Sequence, residues 1–227
     1  MRFLVLFVSL ALGAADAQTA VRAFESRYRH ARTLKAIFFQ SYHDGKGGIS
    51  ADSGTVYFSK PGRMRWEYES PEEKLFLVDG SHVWFYVPAD HTASRAKLSE
   101  SSDWRTPLAL LAGKTDLSKL CRHIEPAAPS SMASEGSLAP TPTPAGTVLR
   151  CIPRQGQETD SIHELLLEID PQGFLTRILI QEAGNATTEF RFGNWEEILA
   201  ISEAKFHFAP PPGVAVVDQQ ALAGSIH

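Results

Sequence analysis

The sequence predicts a mainly β, α+β fold in which a single curled antiparallel sheet forms an unclosed β-barrel under a helical lid. Three observations lead there. Segments of strand character recur from residue 34 to residue 208, parted by turn signals such as Lys60-Pro61-Gly62, Asp79-Gly80 and Asp170-Pro171-Gln172-Gly173. Helical patterns are confined to 19–33 and 107–112. A sheet of roughly ten strands curls rather than lying flat, and those two helices are the available cover for its concave face.

Residues 1–17 read as a secretory signal peptide. Arg2 supplies the positive end, Phe3 to Leu12 is an apolar run broken by Ser9, and Ala15-Asp16-Ala17 is an A-x-A cleavage site that puts the mature start at Gln18. The run is shorter than the roughly 20 apolar residues a bilayer-spanning helix needs. No Cys stands at the cleavage point, so the chain is not expected to be lipidated itself. Residues 18–227 then form one domain.

Val21, Phe24, Tyr28 and Ala31 recur at helical spacing, with Arg22, Arg27 and Arg29 elsewhere around the turn. After them the period falls to two. Strands are expected at 34–42 and 55–59, then around Met64, Trp66 and Tyr68, which alternate with Arg65, Glu67 and Glu69. Residues 74–78 and 81–87 flank Asp79-Gly80, the signature of a type I′ hairpin. The run PLALLA at 107–112 is a short apolar helix. Strands follow at 117–125, 147–154, 163–169, 174–182, 189–195 and 206–208. Residues 126–146, rich in Ala, Pro, Ser and Thr, bury too little apolar surface to offset ordering, so a disordered hairpin insertion is expected there.

Charge and motifs exclude several functions. A net charge of −4, unchanged by removing Arg2 and Asp16 with the signal peptide, offers nothing to nucleic acid or an anionic surface. Eight His are scattered without an i,i+4 pair, so neither a metal nor a cofactor is expected. The chain lacks G-x-S-x-G, H-E-x-x-H, C-x-x-C and a Gly-rich phosphate loop, and Glu67 with Glu69 reads as a solvated strand face rather than an acid–base pair. No enzyme is indicated. Cys121 and Cys151 are candidates for a disulfide that would pin the base of the insertion. What remains is aromatic surface on strands, part of which should line a cavity for an apolar ligand.

Several segments resemble the LolA-type lipoprotein carriers. Residues 54–68 (GTVYFSKPGRMRWEY) are similar to that family's strand–turn–strand, and Pro71-Glu72-Glu73, Val78-Asp79-Gly80 and Val83-Trp84-Phe85-Tyr86 follow in order. Pro107-Leu108 with Leu110-Leu111 resembles its lid helix, and Phe206-His207-Phe208-Ala209-Pro210-Pro211 with Gly213-Val214 its C-terminal signature. The likeness spans nearly all of 20–218 and implies a monomeric periplasmic carrier. Such a carrier accepts acylated lipoproteins from an inner-membrane ABC-type exporter and delivers them to an outer-membrane receptor. It implies an acyl-chain cavity and lid built from Val21, Phe24, Tyr57, Met64, Trp66, Tyr68, Trp84, Tyr86, Leu108, Leu111, Phe190 and Phe208. Lys60 stands where the family has a basic residue, usually Arg, that tethers the lid; Lys lacks the planar fork of Arg. Met64 stands where the family often has Phe, at the cavity mouth. Two other readings compete: a binding protein or sensor for another lipid on the same fold, and a small lipid hydrolase, for which no nucleophile–base motif is present.

Overall fold

The computed structural model describes residues 9–98, 116–132, 146–154 and 162–218. Helix α1 (Ser9–His30) is followed by six strands, β1 (Thr33–His43), β2 (Ile49–Ser59), β3 (Arg63–Ser70), β4 (Lys74–Val78), β5 (His82–Val87) and β6 (Thr92–Lys97). A helical turn α2 (Leu117–Leu120) leads into β7 (Cys121–Pro126), β8 (Thr147–Pro153), β9 (Ile162–Ile169), β10 (Leu175–Glu182), β11 (Thr187–Glu197) and β12 (Ala215–Asp218). All of these described strands lie in one sheet of order β12-β6-β5-β4-β3-β2-β1-β11-β10-β9-β8-β7.

That order is two meanders joined back to back. β1 to β6 step outward in one direction and β7 to β11 step inward from the other edge, so β11 pairs with β1 and makes the seam. Every pair is antiparallel except β12 with β6, which runs parallel because the chain first crosses the sheet through 198–214. The edge strands β7 and β12 do not pair with each other, which leaves the barrel open.

Cross-strand partners share a face of the sheet, so the register sorts the side chains. One row reads Leu34, Phe58, Met64, Val78, Val83, Ala96 across β1 to β6, and the adjacent row on that face reads Ala36, Val56, Trp66, Phe76, Phe85. These pack with Phe24 and Tyr28 of α1 in the main core and define the inner face. The row between them, Lys35, Tyr57, Arg65, Leu77, Trp84 and Arg95, faces outward. Gly54 sits opposite Tyr68, where a Cβ would lie 1.9 Å from the Glu67 carbonyl oxygen, so only Gly lets β2 and β3 close up. The Phe38 and Tyr68 rings meet at 5.0 Å on either side of that gap.

The outer face is not bare. Residues 201–208 lie on it as a second cluster, in which Phe206 is buried with Leu75, Leu77 and Trp84, and Tyr57, Tyr86 and Phe208 pack alongside. Glu67 there accepts from Arg65 (2.6 Å) and Lys205 (2.8 Å). Farther round, Met132 is fully buried on Val148, Leu166 and Leu179. Arg177, itself buried, donates from Nη2 to the Met132 carbonyl (2.6 Å) and from Nε to Glu189 (2.5 Å).

Several expectations need correction. The helix begins at Ser9 rather than 19 and ends at His30, where Arg27, Arg29 and His30 suit the negative end of its dipole. Residues 117–120 form a helical turn, not the start of a strand, and 206–208 end a 3-10 turn (Glu203–Phe206) rather than forming a strand. Strands β6 and β12 are additions. The β4–β5 turn is not type I′, because Gly80 has φ 102° while Asp79 does not take positive φ; the Asp79 carboxylate caps it by accepting from the Ser81 and His82 N–H groups. Residues 126–132 are structured: Pro126 closes β7, and 129–132 form a 3-10 turn anchored by Met132. The rest of the insertion, 133–145, and the expected helix at 107–112 lie outside the described residues.

Candidate functional site

The inner face is an aromatic cluster with Trp66 at its middle. Its ring lies 4.8 Å from Phe38, 5.7 Å from Phe58, 5.4 Å from Phe190 and 6.0 Å from Phe192. Each such pair adds about 0.5–1.5 kcal/mol beyond simple burial. From α1, Phe24 and Tyr28 complete the layer (4.6 Å apart), and Tyr28 meets the edge of Trp195 at 5.8 Å. Among the described residues, this surface is covered by its own rings and by α1. A cavity of about 10 Å³, room for roughly one water, remains beside Tyr28, Ala31, Leu34, Phe58 and Lys60.

Besides the burial of Phe24 and Tyr28, polar contacts at its last turn hold α1 down. The Lys60 ammonium donates to the Arg29 carbonyl, one of the orphan acceptors at a helix C-terminus. Burial, then the neighbouring Arg29 charge, lowers the Lys60 pKa from its ordinary value. On the opposite side, Arg27 donates twice to the Gln172 carbonyl (3.2 and 3.1 Å) and lies 4.5 Å over the Phe174 ring. Tyr28 Oη accepts from the Leu175 N–H at 3.1 Å, and burial raises its phenol pKa far above the usual range. Arg29 reaches Asp116 at 3.6 Å. Gly173 (φ 86°) lets the β9–β10 turn touch the helix, since a Cβ there would lie 2.5 Å from the Ala23 carbonyl oxygen.

The far end of the inner face is polar. Tyr68 donates to Gln40 Oε1 at 3.0 Å, and Lys74 pairs with Asp52 at 2.6 Å while lying 5.2 Å over the Tyr68 ring. The apolar surface is thus bounded by Lys60 at one end and this group at the other.

Of the residues nominated from sequence, Phe24, Met64, Trp66, Tyr68 and Phe190 are buried together on the inner face, and Val21 packs against them from α1. Lys60 stands at the rim. Tyr57, Trp84, Tyr86 and Phe208 do not belong to this site: they lie on the outer face in the cluster around Phe206. The reason is parity, since Tyr57 lies between the inward-facing Val56 and Phe58, and Trp84 between Val83 and Phe85. Leu108 and Leu111 lie outside the described residues. Phe38, Phe58 and Phe192 were missed as site residues. Folding the chain back at Lys60-Pro61-Gly62 pairs Phe58 with Met64 and would have found the second of them.

Cys121 and Cys151 are joined (S–S 2.07 Å), both buried, and tie β7 to β8 in the same core. Glu67 is held by its cations rather than free for proton transfer: burial pushes its pKa up, but hydrogen bonds from Lys205 and Arg65 outweigh that and leave it lowered. Among the described residues there is no cluster of three or more His, Cys, Asp or Glu that could hold a metal ion, and no helix long and apolar enough to cross a membrane.

Comparison with known proteins gives one consistent picture. The family described as outer membrane lipoprotein carrier protein LolA matches residues 29–209. A protein of Nitrosospira multiformis named outer-membrane lipoprotein carrier protein is 26% identical over 221 residues, covering 96% of this chain and 98% of its own. One of the same name from Dechloromonas aromatica is 28% identical over 201 residues, 88% of each chain. The crystal structure of an uncharacterized conserved protein from Thermus thermophilus shares the fold, with a TM-score of 0.53 at 13% identity over 89% of this chain and 99% of that one.

Proposed function

Because this chain belongs to the outer membrane lipoprotein carrier protein family LolA, we propose that it carries acylated lipoproteins through the periplasm, with the inner face of the sheet as the acyl-chain site. The observation that carries the reading is the aromatic inner face beneath α1. Phe38, Phe58, Trp66, Phe190 and Phe192 are covered by an amphipathic helix whose last turn is held by a few hydrogen bonds. Rings that pack on each other and on α1 can exchange those contacts for acyl chains. A helix that donates no hydrogen bond to the sheet ladder can lift without unravelling the sheet.

Energetics limit how much of its cargo such a carrier buries. Shielding three chains of about 16 carbons is worth roughly 38 kcal/mol gross at about 0.8 kcal/mol per CH₂. Non-covalent affinity saturates near 20 kcal/mol, so a usable carrier buries the chains partly and passes them directly between apolar sites. Self-packing of the inner face subtracts from the affinity, because cargo must first displace α1. Small differences between donor, carrier and acceptor then set direction. An inner-membrane ABC-type exporter as donor and an outer-membrane receptor as acceptor fit that scheme.

Export follows from residues 1–17 acting as a signal peptide. Cleavage after Ala17 leaves Gln18 to His30 of α1, with Val21, Phe24 and Tyr28. No catalytic role is assigned, since the carboxylates nearest to a candidate pair, Glu67 and Glu69, are bound to Arg65 and Lys205 and to the Thr55 hydroxyl.

The test is displacement. A hydrophobic fluorophore should bind the mature protein, an acylated lipoprotein should displace it, and the same lipoprotein without acyl chains should not. Trp66→Glu should abolish binding, because an unpaired carboxylate on that face costs several kcal/mol. Displacement by free phospholipid but not by acylated lipoprotein would instead favour a carrier or sensor of another lipid.

A further inference from the structure

Trp66 is 2% exposed, and its indole N–H has no acceptor among the described residues. The other polar groups that the aromatic side chains bring into or beside this core are paired. Trp195 Nε1 donates to the Leu175 carbonyl at 2.9 Å, the Tyr28 hydroxyl accepts from Leu175, and the Tyr68 hydroxyl donates to Gln40. On the outer face, Trp84 Nε1 donates to Asp79 at 3.1 Å. An orphaned buried donor is costly and calls for an explanation. Apolar packing alone does not require one here. Four Phe rings, Phe38, Phe58, Phe190 and Phe192, surround Trp66, and a fifth would serve a purely apolar site without leaving a donor unmet.

We propose that the Trp66 N–H is a ligand donor: once α1 lifts, it donates to a carbonyl oxygen of the cargo, where acyl chains join their backbone as esters or as an amide. The assignment rests on the carrier reading above. It makes Trp66 a specificity residue that distinguishes acyl chains from plain alkyl chains of equal length, a distinction the Phe rings cannot make. The polar groups at the far end are committed to one another through Tyr68–Gln40 and Lys74–Asp52. Trp66 therefore stands in the middle of the apolar surface as a donor without an acceptor among the described residues. A cargo carbonyl satisfies that donor, which favours carbonyl-bearing cargo over its carbonyl-free counterpart.

Four synthetic lipopeptides test this by competition against a bound hydrophobic fluorophore. One carries two ester-linked palmitoyl chains and a free amine, one has both chains as hexadecyl ethers, and one adds an amide-linked palmitoyl to the diether, with an N-hexadecyl counterpart as its control. A carbonyl-bearing compound should compete about threefold to tenfold better than its carbonyl-free counterpart, the range of one neutral hydrogen bond. Whether the ester or the amide shows the preference identifies its source. In Trp66→Phe the members of each pair should compete alike. As a readout that needs no substitution, the indole N–H resonance of Trp66 in ¹⁵N-tryptophan-labelled protein should move downfield with the preferred compound and stay with its control. Equal competition by all compounds in the parent protein, or a preference that survives Trp66→Phe, overturns the proposal and assigns the N–H to contact with the surrounding ring faces. Failure of every lipopeptide to compete would remove the carrier reading itself, and this inference with it.

Discussion

Replacing Lys60 with Met keeps most of the side chain's apolar stem but removes the ammonium that holds the Arg29 carbonyl. A hydrogen bond from a charged group is worth about 1.5–3 kcal/mol when buried. Lys60 is half exposed, and burial already lowers its pKa, so part of that gain is offset by desolvation and screening. About 1 kcal/mol is then the loss expected, and it falls on the closed form alone, because the contact breaks when α1 lifts. That shifts the closed-to-open ratio about fivefold, and where the open form is a small minority, apparent affinity for an apolar ligand rises by the same factor. Titration of a hydrophobic fluorophore into parent and Lys60→Met protein should show a Kd about five times lower in the variant. Amide exchange across α1 should quicken while that of β1 to β3 stays put. Lys60→Arg should behave like the parent or close more tightly. Unchanged Kd together with unchanged exchange in α1 would refute the tether.

Gly173→Ala attacks the same closure from the other side. With φ 86° and a Cβ placed 2.5 Å from the Ala23 carbonyl oxygen, it should cost about 1–3 kcal/mol and raise fluorophore affinity, checked by thermal melting and titration. The Cys121–Cys151 bridge closes a loop with a sequence separation of 30, so replacing both by Ser should cost at most about 3–4 kcal/mol, on the order of 10 °C in Tm. An unchanged Tm in the double variant would show that the bridge adds no stability. Glu67 makes stability depend on acid. Its folded pKa lies below the ordinary 4.5, so its contribution is complete above that value and is lost as pH falls below it toward the lowered pKa. Melting curves from pH 6 to pH 3 should therefore fall less steeply in Glu67→Gln than in the parent, and equal slopes would count against the Glu67–Lys205–Arg65 cluster.

The class of the fold and the identity of most of its elements are written locally. Val21, Phe24, Tyr28 and Ala31 recur at helical spacing, and Met64, Trp66 and Tyr68 at strand spacing, so the helix and β3 could be read without partners. The same local pattern put Phe24, Met64, Trp66 and Tyr68 on apolar faces, and they lie together on the inner face, whereas Lys60, beside the turn that brings it under α1, was named through the family resemblance. Sidedness was another matter. The run His82-Val-Trp-Phe-Tyr-Val87 is apolar at every inner position, so alternation cannot say which of its rings face in. Only the pairing of Phe76 with Phe85 and of Leu77 with Trp84 decides it. Trp84, Tyr86 and Tyr57 are covered because residues 201–208 return from far along the chain to the outer face, 138 positions from Glu67 to Lys205 and 140 from Arg63 to Glu203. β12 exists because the same excursion carries the chain alongside β6. Residues 126–132 looked too poor in apolar side chains to order, yet Arg177 binds the Met132 carbonyl and Met132 fills a gap over β8 to β10. Periodicity determines what kind of element a segment becomes, because each backbone conformation repeats its side chains locally. Which face is covered, and by what, is decided by contacts between residues far apart in sequence, and those exist only once the sheet has closed around its register.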